Sequence, residues 1–352
     1  MRRVTKLLAV VAAATFALAA CGGGSDDDTS TAAGASSAPK SDIKVGMAYD
    51  VGGRGDQSFN DSAAAGLDKA AKEFGVTPKE LEATQGETDS AREERLRLLA
   101  QGGYNPVIAV GFAYSPALGK VAAEFPDTKF AIVDDSQLEK VSNVTSLVFA
   151  EQQGSYLVGV IAAQASKSGS IGYIGGVQTP LLQKFEAGYV QGAKSVNPDI
   201  KVAVKYLSVP PDFSGFSAPD KGETSAQGMI DAGADVVYAA AGGSGSGAFK
   251  AIAAAGTSHW AIGVDSDQYL TADASVKQYV LTSMMKRVDT AVYDYIKSDV
   301  DGKILTGVQT FDLTDDGIAY STSNSAVEPY EAKADDAKKQ IIAGDVTVAT
   351  TP

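Results

Sequence analysis

Short apolar runs alternate with longer amphipathic stretches through most of this chain, and that alternation limits its fold more than any other feature. The runs are VIAV (107–110), FAIV (130–133), VTSLVF (144–149), SIGYIG (170–175), VVYAAA (236–241) and WAIGV (260–264). Between them lie stretches with helical spacing. Strands alternating with helices predict parallel sheets flanked by helices. About 310 residues are too many for one ordinary core, so two α/β lobes are expected.

The first such unit starts at Lys44. Val45, Met47 and Tyr49 alternate with Gly46 and Ala48, and a glycine-rich loop, DVGGRGD (50–56), follows. Ala63, Leu67, Ala70, Ala71 and Phe74 then recur at helical spacing. In open α/β sheets ligands sit beyond the carboxyl ends of the strands. Asp50 is at that end, and Ser58, Phe59 and Asn60 lie where the helix begins. Read locally, Asp50 is an Asx-turn acceptor, Ser58 or Asn60 an N-cap, and Phe59 a core residue. Read together, a carboxylate, an aromatic face and a carboxamide suit a small ligand with hydroxyls and a flat ring. No dinucleotide or P-loop fingerprint is present in this loop.

The N-terminus reads as a leader. Arg2, Arg3 and Lys6 precede an apolar stretch from Leu7 to Ala20, too short to span a membrane as a helix. It ends LAAC, a lipobox with Cys21, the sole cysteine. Residues 1–20 are therefore expected to be a lipoprotein signal peptide and Cys21 the site of lipidation. A diacylglycerol plus an amide-linked acyl chain would anchor stably. Residues 21–41, rich in Gly, Ser, Ala and Asp, read as a flexible tether. One cysteine excludes disulfides and cysteine-based metal sites. The formal charge of −13 becomes −16 once the leader's three basic residues are removed. With no basic patch, nucleic acid is disfavoured as a partner.

Several strings beyond the leader resemble the basic membrane protein family, the solute-binding lipoproteins of ABC transporters that include purine-nucleoside receptors. They are DVGGxxDxSFN (50–60) with Gly66-Leu67, ExxGSYLxG (151–159), FEAGYxxGA (185–193), AGGxGxG (241–247), GVDSDQ (263–268) and LTSxxKR (281–287). The resemblance covers residues 43 to about 320. It implies a type 1 periplasmic-binding-protein fold, with two doubly wound lobes joined by three hinge strands. It also implies a nucleoside ligand, purine rather than pyrimidine, and partnership with an ABC permease and its cytoplasmic ATPase. Lobe 1 is expected at 42–149 plus 287–314, and lobe 2 at 150–286 plus 315–352.

The expected ligand-binding residues are Asp50, Phe59, Asn60, Tyr114, Asp134, Phe185, Gly243, Asp265 and Lys286. Tyr114 follows a strand-end loop, so it either lines the cleft or packs. Of Asp134 and Asp135, one is expected to accept from ligand and the other to build the turn. Phe59 and Phe185 each begin a helix, one per lobe, and are expected to sandwich a flat ring. Gly243 heads a glycine-rich helix start whose free N–H groups suit hydroxyls or anions. Asp265 and Lys286 are expected to hold a ribose, to tie the hinge as an ion pair, or both. Gly154 and Gly159 are assigned to close helix packing, and Trp260 to the core. Catalysis would need a metal-binding carboxylate cluster or an acid–base pair, and neither is evident with His259 the sole histidine. No metal, no cofactor and no enzymatic activity are expected. A receptor for a sugar or an autoinducer-like solute is the alternative.

Overall fold

The computed structural model describes residues 41–352. The expected leader, Cys21 and the tether up to residue 40 lie outside the described residues.

The first sheet is built from β1 (Lys44–Ala48), β2 (Thr77–Leu81), β3 (Val107–Ala109), β4 (Phe130–Val133) and β5 (Val144–Phe149). Helices α1 (Phe59–Phe74), α2 (Asp89–Gln101) and α3 (Ser115–Glu124) connect them. Helix α4 (Glu151–Ala165) leads to the second sheet, built from β6 (Ser170–Val177), β7 (Lys201–Ser208), β8 (Val236–Ala240), β9 (Trp260–Asp265) and β10 (Val280–Lys286). Its connecting helices are α5 (Pro180–Val196), α6 (Pro219–Asp231), α7 (Gly245–Ala255) and the short α8 (Gln268–Thr271). After α9 (Val288–Val300), β11 (Gly307–Phe311) joins the first sheet and β12 (Ile318–Tyr320) the second, before α10 (Glu328–Ala343).

Strand order is β2-β1-β3-β4-β5-β11 in one sheet and β7-β6-β8-β9-β10-β12 in the other. Each is a doubly wound sheet with one extra strand. All pairings are parallel except β10 with β12. The chain passes between the halves after β5, after β10 and between β11 and β12. The expected fold class is therefore observed. In such sheets the crevice lies where neighbouring strands lead to opposite faces, here between β1 and β3 and between β6 and β8.

The strands at the centre of each sheet are buried on both faces: Val45, Met47, Ile108, Ile132 and Leu147 in one, Ile171, Tyr173, Val237 and Ile262 in the other. Burial at roughly 25 cal/mol per Å2 of apolar surface is what holds each sheet against its helices. Glycines set how closely those helices approach. A Cβ on Gly188 would lie 2.1 Å from the Gln152 carbonyl oxygen, and one on Gly192 2.1 Å from that of Tyr156. Helices α4 and α5 thus touch backbone to backbone. Gly159 faces Tyr189 in the same contact, while a Cβ on Gly154 would meet Ile318 and Met284. Gly66 does likewise for α1 against α9, where a Cβ would come 2.3 Å from Asp289 O. Edge strand β2 has no counterpart in the sequence reading. It is TPKEL, largely exposed, with a proline tolerable only at an edge.

Candidate functional site

The carboxyl ends of the two sheets face a single cleft. From the first half it is lined by Asp50, Val51, Asp56, Phe59, Asn60, Phe112 and Asp134. Leu181, Leu182, Phe185, Phe216, Ala240, Gly242, Val264, Asp265 and Lys286 line it from the second. Seven of the nine residues singled out from sequence meet here; Tyr114 and Gly243 do not.

The loop after β1 holds itself in shape. Asp56 accepts the backbone N–H groups of Ser58 (2.9 Å), Asn60 (2.9 Å) and Asp61 (3.1 Å), so it satisfies the free donors at the start of α1. It also takes the Asn60 carboxamide N–H at 3.0 Å, and Asn60 Oδ1 accepts from Asp50 N at 3.0 Å. Asn60 is thus committed to the loop, although it borders the cleft. Asp50 Oδ1 accepts from Val51 N at 2.7 Å. Its other oxygen receives no hydrogen bond from the described residues. Gly111 permits this placement: a Cβ there would lie 2.2 Å from Asp50 Oδ2. Burial pushes the pKa of Asp50 from 3.8 up to about 6, against the pull of the Val51 N–H. Asp56 is likewise raised to about 6, chiefly by burial.

Lys286 ends β10 and lies at the centre of the charges. Its ammonium is 2.6 Å from Asp134 Oδ2 and 3.4 Å from Asp265 Oδ1, all three side chains buried. It sits 4.5 Å from the ring centroid of Phe59, 5.5 Å from Phe185 and 5.6 Å from Phe149. Burial acts to lower the Lys286 pKa, but Asp134, Asp265 and Glu151 outweigh it and hold the ammonium charged. Asp134 moves up, by burial first, with Lys286 opposing. Buried Glu151 at the start of α4 is raised to about 7 by burial and then by Asp134, with Lys184 3.3 Å away. Carboxylates thus outnumber buried ammonium groups at this point. Asp134 and Asp265 both adopt positive φ, 67° and 64°, which aims them from strand ends into the cleft. Asp134 Oδ1 and Asp265 Oδ1 are buried without a hydrogen-bond partner. Asp135, by contrast, accepts from Ser115 Oγ, Gln137 N and Gln137 Nε2, which makes it the turn-forming member of the pair.

Tyr114 requires correction, and Gly243 lies one residue beyond the lining. Tyr114 is fully buried in the first half, where its hydroxyl donates to Tyr49 O at 2.7 Å and is met by Arg95. The tight turn Phe112–Tyr114 after Gly111 turns Phe112, not Tyr114, to the cleft. At the glycine-rich turn after β8 the lining residue is Gly242, with φ 54°, while Gly243 lies between Asp56 and Phe216. Asp56, Phe112, Phe216, Leu181 and Leu182 were not singled out from sequence. Asp56 was legible as an acid two residues before Ser58, as was Phe216 as an aromatic in a proline- and glycine-rich loop.

Among known proteins, the family model described as ABC transporter substrate-binding protein PnrA-like (Bmp) matches residues 43–351. An ABC transporter nucleoside-binding protein, BmpA, of Lactococcus lactis is 38% identical over 327 residues, covering 89% of this chain and 91% of that one. An uncharacterized lipoprotein of Pyrococcus abyssi is 36% identical over 292 residues, covering 79% of this chain and 69% of that one. The solved structure of an ABC transporter solute-binding protein from Aeropyrum pernix superposes with a TM-score of 0.76 at 30% identity, covering 88% of this chain and 93% of that one. A substrate-binding component captures a solute and passes it to a permease driven by an ATPase. The chain belongs to the Bmp family of PnrA-like ABC transporter substrate-binding proteins, whose members are solute receptors rather than enzymes.

Proposed function

We propose that the solute is a nucleoside, purine more readily than pyrimidine, held between two lobes that close on it. The lobes are residues 42–149 with 287–314 and residues 150–286 with 315–352, moving about the three crossings. One observation carries the reading. Flat apolar walls, Phe59 and Phe185, stand beside two buried carboxylate oxygens that accept no hydrogen bond, Asp134 Oδ1 and Asp265 Oδ1, and an ammonium donor, Lys286, which lies 3.4 Å from the second of them. A ring with a polyhydroxylated sugar satisfies both: the rings stack on the base, and Asp265 and Lys286 hold the ribose hydroxyls. Asp50, through its free oxygen, and Asp134 serve the remaining polar atoms. The name of the Lactococcus relative supports the same ligand class.

Unpaired buried donors and acceptors cost about 1–3 kcal/mol each, so a site built for ribose rejects ligands lacking it. Asp265→Asn keeps the shape but loses the doubly accepting carboxylate. Ribonucleoside binding should weaken about tenfold or more, ~1.4 kcal/mol, and the preference over 2′-deoxynucleoside should shrink. Calorimetric titration of both proteins with guanosine and 2′-deoxyguanosine checks this, and equal affinities for both proteins would contradict it.

We further propose that the mature protein is lipid-anchored through Cys21 at the outer face of the cell membrane. The lipobox supports this, as does the lipoprotein name of the Pyrococcus relative. Cys21→Ser should give released or unprocessed protein on fractionation; a processed variant still in the membrane would refute the anchor.

A further inference from the structure

Ser58, Ser266 and Gln268 lie in the strings SFN and DSDQ, where ligand contact is expected, yet none of the three lines the cleft. Their polar atoms run from one half to the other. Ser58 Oγ donates to Asp265 Oδ2 at 2.8 Å, and Ser266 Oγ donates to Ser58 O at 2.8 Å. Gln268 Nε2 donates to Gln57 O at 3.0 Å.

Both ends of the last bond are fixed in advance. Gln57 has φ 55°, a left-handed conformation that non-glycine residues rarely adopt, and Asp61 Oδ2 accepts its N–H at 2.9 Å. Gln268 is buried. Its Oε1 accepts from Val264 N at 2.9 Å and its own N–H donates to Ser283 Oγ at 3.0 Å. Gly263 leaves the room it needs: a Cβ there would lie 2.6 Å from Gln268 Oε1. A carboxamide clamped in one half thus presents a single N–H to a strained carbonyl in the other. Both groups are held by bonds within their own half, so the bond between them forms without local rearrangement where the halves meet.

We propose that Gln268, assisted by Ser266, is a latch residue. It favours the closed arrangement of the halves and thereby sets how long a captured solute stays, without touching it. This rests on solute capture between the halves, not on which solute is captured.

The isosteric change Gln268→Glu separates the latch from local structure. A glutamate still accepts from Val264 N, but when ionised it has no proton to offer Gln57 O. Ser266→Ala removes a different cross-half bond and serves as the second variant. The full-length chain in detergent would carry dyes on clickable residues replacing Lys79 in β2 and Lys205 in β7. Both positions are exposed, on the edge strands opposite the crossings, where opening moves the halves most. Single-molecule energy transfer then reads the ratio of closed to open molecules without any solute. That ratio should fall about five- to tenfold in Gln268→Glu at a pH where the glutamate is ionised, and less in Ser266→Ala, whose midpoint of thermal unfolding should be essentially unchanged. With guanosine as probe, dissociation should quicken by a similar factor while association changes less than twofold. An unchanged closed-to-open ratio in both variants overturns the latch, as does a shift that merely follows lost thermal stability. If guanosine does not bind the wild type, the nucleoside reading fails, and the solute-free ratio still decides the latch.

Discussion

The two sheets share one strand order, but their first connections differ, and the cleft's chemistry follows from that difference. After β1 the chain runs through residues 49–58 before α1 begins; after β6 only residues 178 and 179 precede α5. The long connection carries Asp50 and Asp56 and folds around its own hydrogen bonds, so the first half presents carboxylates. The short connection brings the first turns of α5 to the cleft, so the second half presents Leu181, Leu182 and Phe185. Thr179 caps α5 through a bond from Leu182 N, where α1 relies on Asp56, because Ser58 at its N-cap makes no side-chain cap bond. A shared topology thus yields an acidic first connection in one half and an apolar one in the other, while Phe59 and Phe112 also line the first half and Asp265 and Lys286 the second. Lys286, at the carboxyl end of β10, is the charge that joins the halves.

The largest expected effect breaks that junction. Lys286→Met leaves Asp134 and Asp265 buried without their counter-charge and should cost about 3–5 kcal/mol of stability by urea unfolding at neutral pH. Adding Asp134→Asn should recover part of the loss. A cost below about 1 kcal/mol would mean that the halves are not joined electrostatically.

The next effect concerns the acidic connection and pH. Asp50 has its pKa raised on folding from 3.8 to about 6, so the folded state binds its proton more tightly than the unfolded state. Its contribution therefore favours folding below about pH 4 and is lost as pH rises through 6. Asp50→Asn removes that loss. Above pH 6 the variant should be more stable than wild type by on the order of 2–3 kcal/mol, and the gain should vanish toward pH 4. Unfolding curves at pH 4 and pH 7 check the sign, and a variant less stable at pH 7 would contradict it.

The smallest effect sharpens the contrast between the two connections. Thr179→Ala removes one cap bond and should cost about 1 kcal/mol. Asp56→Ala removes the acceptor for three backbone N–H groups and should cost about 2 kcal/mol. Equal costs would mean that the long loop does not depend on Asp56.

Much of this architecture was legible in the sequence because the signals were local. Six apolar runs marked central strands. Acids and aromatics at strand ends marked the cleft, since a doubly wound sheet sends those ends to one place. The misses were of direction and of long range. Tyr114 and Phe112 are two residues apart in one tight turn, and spacing does not say which faces out. Ser58 does not line the cleft, because its hydroxyl donates to Asp265 in the opposite half, a partner distant in sequence. Strand β2 is short, polar and exposed, so no periodicity reveals it.

The central claim is that this cleft reads a base and a sugar together. Titration of the wild-type protein by calorimetry with guanosine, guanine, ribose and a free amino acid tests it directly. The account predicts tight binding of guanosine, with guanine and ribose each weaker by at least about a hundredfold and no heat from the amino acid. Guanine binding as tightly as guanosine, or ribose alone binding tightly, would contradict it.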